Sequence, residues 1–293
     1  MELISFVILH FGDIQVTKSC IQSILNMQHQ DQIRIIVVDN DIKKPSSERK
    51  KLQEYCKTCQ NVQVIQNNKN GGFSYANNLG YRYAREQQKA SFILILNNDI
   101  EFLQKDFVER LHDAYKNHPC HILGPDIVRA ATQEHQNPMD TRIRTKEEAE
   151  YTIRMNQVAL KYFDFFYPVL YLKNKYEEKK SLKQKKINEA YYSTIQKNIV
   201  PFGACFIFTP KFVQNEEKAF EPETEFYYEE YILTLRCQRK GYQIVYDPSL
   251  KLLHESGAAT KKNYSDKKQH LKFMMNRIKE ASAIYLDYLT GIN

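Results

Sequence analysis

The chain has 293 residues, with 42 lysines and arginines against 35 acids, a formal net charge of +7. Apolar residues make up 42% and charged residues 26%, which suits one large α/β domain or two small ones and excludes a disordered or fibrous chain. No run approaches the roughly 18 consecutive apolar residues of a membrane-spanning helix, and Glu2 stands where a signal peptide carries positive charge, so the chain is expected in a cytoplasm.

The first half alternates strands and helices. Residues 5–9, 33–39, 62–67 and 92–97 are short Ile- and Val-rich runs of the kind that a parallel sheet buries on both faces. Between them, Val16, Cys20, Ile21, Ile24 and Leu25 form one helical stripe, and Ala76, Leu79, Tyr83 and Ala84 another. This repetition predicts right-handed crossovers, with ligands beyond the carboxyl ends of the strands. Those ends read His10-Phe11-Gly12-Asp13, Asp39-Asn40-Asp41, Asn67 to Gly72, and Asn97-Asn98-Asp99. Four polar ends on one sheet edge predict a polar ligand site. Cys56 and Cys59 form a lone CxxC with no second pair at zinc spacing, and read as ordinary thiols at a helix end.

From about 130 to 199 the sequence changes. Helical patterns rich in Gln, Glu and Lys lead into the aromatic run 162–167, then into lysines 173, 175, 179, 180, 183, 185 and 186. This predicts a helical insertion. Residues 203–209 and 242–247 read as strands, and 229–241 as a helix ended by Gly241. The basic tail finishes in an amphipathic helix carrying Leu271, Met274, Met275, Ile278, Ile284, Leu286 and Leu289.

The motifs narrow the chemistry. There is no GxGxxG after the first strand, no GxxxxGK[ST], no GxSxG and no HExxH. Asp99 at a strand end is either a hard oxygen ligand for Mg²⁺ or Mn²⁺ or a helix cap. Glu229 and Glu230 begin a helix after an aromatic stretch, as a general base with its neighbour or as simple dipole partners. His254 follows an apolar segment in the same half of the chain.

Taken in order, these segments resemble an inverting family 2 glycosyltransferase of the GT-A fold. VILHFGD resembles the opening strand and turn, IIVVDN the second strand with its nucleobase-binding acid, and NNKNGGFSYANNLGYRYA the N-x-G-x-x-x-A-x-N-x-G segment. LILNNDIEF resembles the D-x-D-type metal motif, VPFGACFIFTPKFV the strand opening the acceptor half, and FYYEEYILTLRCQRKGYQIVYDPSLKLLHESGAA the acid-pair helix, strand and terminal histidine. The resemblance covers about 1–128 and 200–258. Its branch is that of bacterial rhamnosyltransferases. It implies a Rossmann-like, mostly parallel central sheet flanked by helices, with a helical insertion and a C-terminal helical tail. The implied division is a nucleotide-sugar half (1–128), insertion (129–199), catalytic half (200–258) and basic C-terminal helix (259–293).

By the same resemblance, Asp39 meets the donor nucleobase, with His10 and Phe11 closing the pocket. Asn70 and Gly71 hold the nucleotide with Asn78 behind them, and Asn98 lies beside the ribose or donor sugar. Asp99 binds a Mn²⁺ or Mg²⁺ ion at the diphosphate, and His254 approaches it. Glu230 is the catalytic base, with Glu229 a live alternative. The metal motif departs from the family by carrying Asn97 and Asn98, so only Asp99 supplies charge there. The base departs by being Glu where Asp is usual.

The implied reaction moves a sugar, with rhamnose favoured over galactose or glucose, from a dTDP- or UDP-linked donor to a saccharide hydroxyl. The acceptor is expected to be lipid-linked, in capsule, O-antigen or cell-wall synthesis. The aromatic and basic stretch 162–186 and the basic tail read either as a peripheral contact with the anionic inner face of the cell membrane or as a solvated hairpin with its aromatics buried. No nucleic-acid motif appears and acids interrupt the insertion, so no nucleic-acid partner is expected. A catalytically silent carbohydrate-binding subunit and a sugar nucleotidyltransferase are the alternative readings.

Overall fold

The computed structural model describes residues 2–69, 71–173, 176, 189–255 and 267–291. The four apolar runs form strands β1 (Ile4–His10), β2 (Ile33–Asp39), β3 (Val62–Gln66) and β4 (Phe92–Asn97), ordered β3-β2-β1-β4 and all parallel. The register sets His10 beside Asp39 and Leu9 beside Asn97, so the polar strand ends meet along one edge. Helices α1 (Ile14–Leu25), α2 (Ser46–Thr58) and α3 (Gly72–Glu86) make the crossovers. Asp13 caps α1, its carboxylate accepting from the backbone N–H of Gln15 at 3.0 Å. Cys56 is buried and Cys59 ends α2 as a free thiol. β3 departs from the expectation of burial on both faces: it is the outer strand and stays partly exposed.

The second half completes the sheet. It comprises β5 (Ile100–Phe102), α4 (Phe107–Asn117), β6 (Ile122–Arg129), β7 (Gln196–Lys197), β8 (Cys205–Phe208) and β9 (Ile244–His254). β8 lies antiparallel between β4 and β6, giving the path β3-β2-β1-β4-β8-β6-β9-β5, with β7 on β9. One face packs on α1, α2 and α4 through residues such as Ile21, Leu52 and Leu111. The other packs on α3, α8 (Pro210–Asn215) and α9 (Glu229–Arg239) through Tyr81, Phe212 and Leu233. β6 escapes the apolar-run reading because Gly124 and Pro125 interrupt it. β9 is longer than expected, running on past Pro248 through an irregular register. Gly241, with φ +69°, follows α9 at the position a left-handed stop requires.

Within the expected insertion, 129–199, the described residues include three helices, and β7 at its end departs from the expectation by joining the main sheet. Helix α5 (Lys146–Lys161) opens with a capping box between Thr145 and Glu148. A break at Tyr162 (φ −114°, ψ 34°) precedes α6 (163–173), and α7 (Glu189–Tyr192) follows. The C-terminal α10 (Lys267–Thr290) lies along α5. Phe163 and Ala159 are buried against Leu271 and Met275 of α10. The other face stays bare. Tyr151, Met155, Val158, Tyr162, Phe165, Val169, Leu172 and Tyr176 recur at spacings of four and three residues, each 47–80% exposed. The two readings of the aromatic stretch are therefore divided between two faces. Lysines 175, 179, 180, 183, 185 and 186, and tail residues 256–266, lie outside the described residues. Among the described residues no helix is long and apolar enough to cross a membrane.

Candidate active site

At the carboxyl edge of β1, β2 and β3 the polar strand ends bind one another. Asp39, buried, accepts from Nε of Arg49 at 2.7 Å, while Nη2 of Arg49 donates to the carbonyl of Asn67 at 3.0 Å. Asn67 donates to Oδ1 of Asn40 at 2.8 Å. Asp41 accepts from the N–H of Gly12 at 3.0 Å and so closes the β1–α1 turn over the same edge. His10 lies 2.6 Å from the hydroxyl of Thr17, and burial depresses its pKa against the pull of Asp39 and Asp41. The Phe11 ring beside them is 40% exposed, an open apolar face next to buried acids. Asn98 donates to the carbonyl of Phe11 at 3.2 Å and to Thr17 Oγ1 at 2.9 Å, so its amide shapes this turn.

Asp99 and His254 meet across β5 and β9. The sheet pairs Ile100 with His254, and the N–H of Glu255 donates to the carbonyl of Asp99 at 2.9 Å. Both side chains are buried, with Nε2 of His254 3.2 Å from Oδ1 of Asp99. That oxygen nevertheless accepts no well-aligned hydrogen bond. On its far side, Nδ1 of His254 lies 2.7 Å from the amide oxygen of Gln136, which can only accept. In the neutral ring, a proton on Nδ1 donated to that oxygen leaves the Nε2 lone pair facing the carboxylate. A carboxylate oxygen and an imidazole lone pair converging without a donor between them form a donor set that fits a divalent cation. No cluster of three such ligands occurs among the described residues.

Glu229 and Glu230 occupy the first turn of α9. The two preceding residues, Tyr227 and Tyr228, adopt φ of +70° and +65°, a left-handed conformation that costs non-glycine residues about 1–3 kcal/mol each. The strain is held by packing: the Tyr228 ring lies 5.4 Å from that of Tyr231 and 5.5 Å from that of Tyr285 on α10. Glu229 is buried and its carboxylate accepts from Thr224 at 3.4 Å. Burial, and then the charge of Glu230, hold it well above the usual carboxylate range. Glu230 is partly exposed; burial of its carboxyl pushes its pKa up to about 7, against backbone N–H groups at Glu230 and Gly203. A base that titrates near neutrality is well matched to taking a proton at physiological pH. Gly203 is required where it stands, since a Cβ there would lie 2.3 Å from Oε1 of Glu230.

The sheet brings these groups together. The N–H of Asn97 donates to the carbonyl of Ala204 at 3.0 Å, which sets Gly203 and its carboxylate partner beside the strand end that carries Asp99. Phe202 packs its ring 5.9 Å from that of His254. The donor-side segment also reaches the acids. Gly72, with φ +81°, has no room for a Cβ against Glu225, and the N–H groups of Phe73 and Ser74 donate to the carbonyls of Glu225 and Thr224 at 2.7 and 3.3 Å. Gly71 lies in the same turn, its absent Cβ leaving space for the Tyr75 ring. Asn78 sits further back, bracketing the backbone of Phe220 with both ends of its amide. Asn70 lies outside the described residues. A cavity of about 430 Å³ opens between Lys69, Thr224, Phe226 and Arg277, and neither Asp99 nor Glu230 lines it.

Sequence reasoning passed over Thr17, Arg49, Gln136, Gly203 and Thr224. Of these, only Gly203 carried a signal, as a glycine at the opening of the predicted strand 203–209. The others act through partners that no local pattern marks: Thr224 bonds Glu229 five residues on, whereas Gln136 reaches His254, 118 residues away.

Comparison with known proteins agrees with this geometry. The Glycosyl transferase family 2 model matches residues 5–181. The crystal structure of S. aureus TarS 1–349 superposes with a TM-score of 0.53 at 12% identity, covering 97% of this chain and 71% of that one, which shows a common GT-A-like fold. No curated protein matches the sequence. With more than half of its length matched by the family model, the chain belongs to glycosyl transferase family 2 and is a glycosyltransferase.

Proposed function

We infer that the enzyme transfers a sugar, with inversion, from a dTDP- or UDP-linked donor to a hydroxyl of a lipid-linked saccharide in cell-surface polysaccharide synthesis. Rhamnose is the favoured sugar. The observation that carries the catalytic part is Glu230: a partly exposed carboxylate with a pKa near 7, held on a strained helix start beside Gly203.

The roles follow from position. Asp39 and Asp41 present carboxylates at the strand edge to the nucleobase, with the Phe11 ring as its apolar neighbour and His10 kept neutral behind it. Gly71 and Gly72 lie toward the diphosphate. Asp99 and His254 would hold a Mn²⁺ or Mg²⁺ ion, which supplies positive charge against the departing diphosphate. Glu230 accepts the acceptor hydroxyl proton as that oxygen attacks the anomeric carbon opposite the leaving group. The transition state is oxocarbenium-like, as in glycoside hydrolysis, and a single displacement inverts the centre. Burial, and then the charge of Glu230, hold the Glu229 carboxyl well above the usual carboxylate range, which favours Glu230 as the base of the pair.

The test is turnover of a panel of dTDP- and UDP-sugars with a saccharide acceptor, wild type against Glu230→Gln and Glu229→Gln. The expected outcome is one donor consumed, a product of inverted anomeric configuration by NMR, and loss of turnover only in Glu230→Gln. Turnover retained in Glu230→Gln, or a retained anomeric configuration, overturns the mechanism.

A further inference from the structure

The bare strip on α5 and α6 has no role in the chemistry above, and it carries eight of the ten exposed large apolar side chains among the described residues. It covers about 35 Å of helical rise. Phe165 is 80% exposed and Leu172 65%. Monomeric soluble proteins rarely leave a contiguous strip of this kind uncovered, and such patches mark protein or membrane contacts.

Three observations select the occupant. The first is charge. Between 151 and 176 the only acid is Asp164, whose carboxylate is bound by Lys268 at 2.7 Å, while Arg154, Lys161, Lys173 and Lys175 punctuate the same stretch. The neighbouring helix adds Lys267, Lys268 and Lys272, each with its ammonium within 5.6–5.9 Å of an aromatic ring of α6. The second is side-chain type. Four of the eight residues in the strip are Tyr or Phe, and rings with polar tips suit the boundary between headgroups and acyl chains. The third is backbone. The spacing of four and three residues is that of a coiled-coil seam, yet the helix breaks at Tyr162 and carries Pro168, so no continuous helix is offered to a second copy. The sequence of residues 177–188 brings only Leu182 and Ile187 as large apolar side chains.

We propose that the strip from Tyr151 to Leu172, flanked by these cations, is a docking surface for an anionic lipid bilayer, on which the protein lies without crossing it. This deepens the functional reading and rests on it for the identity of the acceptor. Ala149 of α5 shares a core cluster with Tyr228, Tyr231 and Tyr285, so the helix that carries the strip is rooted beside the acid pair. A bilayer seated on the strip would bring a lipid-linked saccharide to the same end of the molecule as Glu230.

The experiment is co-sedimentation of the full chain with vesicles of phosphatidylglycerol and phosphatidylcholine, and with vesicles of phosphatidylcholine alone, at low and high salt. Wild type is compared with Phe165→Glu, Leu172→Glu and Lys161→Glu. Circular dichroism and analytical ultracentrifugation report folding and association, and transfer to a soluble acceptor is followed in parallel. Expected are binding to the anionic vesicles that weakens with salt, a fall of roughly tenfold or more in each apolar-to-Glu variant, and a fall of roughly fivefold or more in Lys161→Glu. Soluble-acceptor transfer stays at the wild-type level. No anionic binding by wild type, or binding that both apolar variants retain, overturns the proposal. So does a wild-type dimer that Phe165→Glu dissociates without any vesicle binding, which would assign the strip to a second copy. Vesicle binding without sugar transfer to any acceptor would instead sink the functional reading and leave the docking surface standing.

Discussion

Replacing Gly203 by Ala should impair catalysis while leaving the fold intact. The new Cβ would lie 2.3 Å from Oε1 of Glu230, where ordinary contact begins near 3.4 Å. The carboxylate must retreat by about 1 Å. That atom is the end of a side chain and gives way easily, so the melting temperature should stay close to that of wild type. A displacement of about 1 Å at a reacting group costs on the order of a hundredfold in rate. The retreat also separates the carboxylate from the Gly203 N–H, which favours its ionised form. Steady-state kinetics should therefore show kcat lower by roughly a hundredfold, donor KM little changed, and the acidic limb of the pH–rate profile moved to higher pH. In wild type that limb should lie near pH 7, activity falling as Glu230 takes up a proton. An unchanged kcat in Gly203→Ala, together with turnover retained in Glu230→Gln, would refute the assignment of Glu230 as base.

Other outcomes follow from the same geometry. Glu230 is ionised at a cost: its folded pKa, about 7, is above the ordinary 4.5, so its contribution to stability is fully present below about pH 4.5 and is lost as pH rises toward 7. Glu230→Gln should accordingly raise stability at pH 8 by at most about 3 kcal/mol and change little at pH 4, read by thermal unfolding at both values. Asp99→Asn should abolish any Mn²⁺-dependent part of the thermal shift given by dTDP or UDP, while the metal-independent part remains; an undiminished metal effect would remove Asp99 from the cation site. Tyr285 is fully buried against Tyr228 and Tyr231, and its hydroxyl donates to the carbonyl of Arg144. Tyr285→Phe should cost about 1 kcal/mol and Tyr285→Ala about 3–5 kcal/mol in denaturant unfolding.

The sequence by itself determined the periodic elements. The Ile- and Val-rich runs of β1, β2 and β4 satisfy their hydrophobicity in a doubly covered parallel sheet, and with the half-exposed edge strand β3 the four strands and their crossover helices follow from local pattern. The polar residues at the strand ends then share one edge, because parallel strands place all their carboxyl ends on the same side. The paired acids and their helix were legible for a similar reason: a first turn, eleven residues and a glycine stop are local features. β6 was not, since Gly124 and Pro125 mask it and only its neighbours β8 and β9 make it a strand. Tertiary structure alone raised the pKa of Glu230, which depends on burial and on a glycine 27 residues away in sequence. It alone set His254 3.2 Å from Asp99 and turned it with Gln136. It also divided the aromatic run between two faces, burying Phe163 on α10 and leaving Phe165 bare. Periodicity reports which residues share a face of a helix, but only the packing of a second helix determines which face water meets.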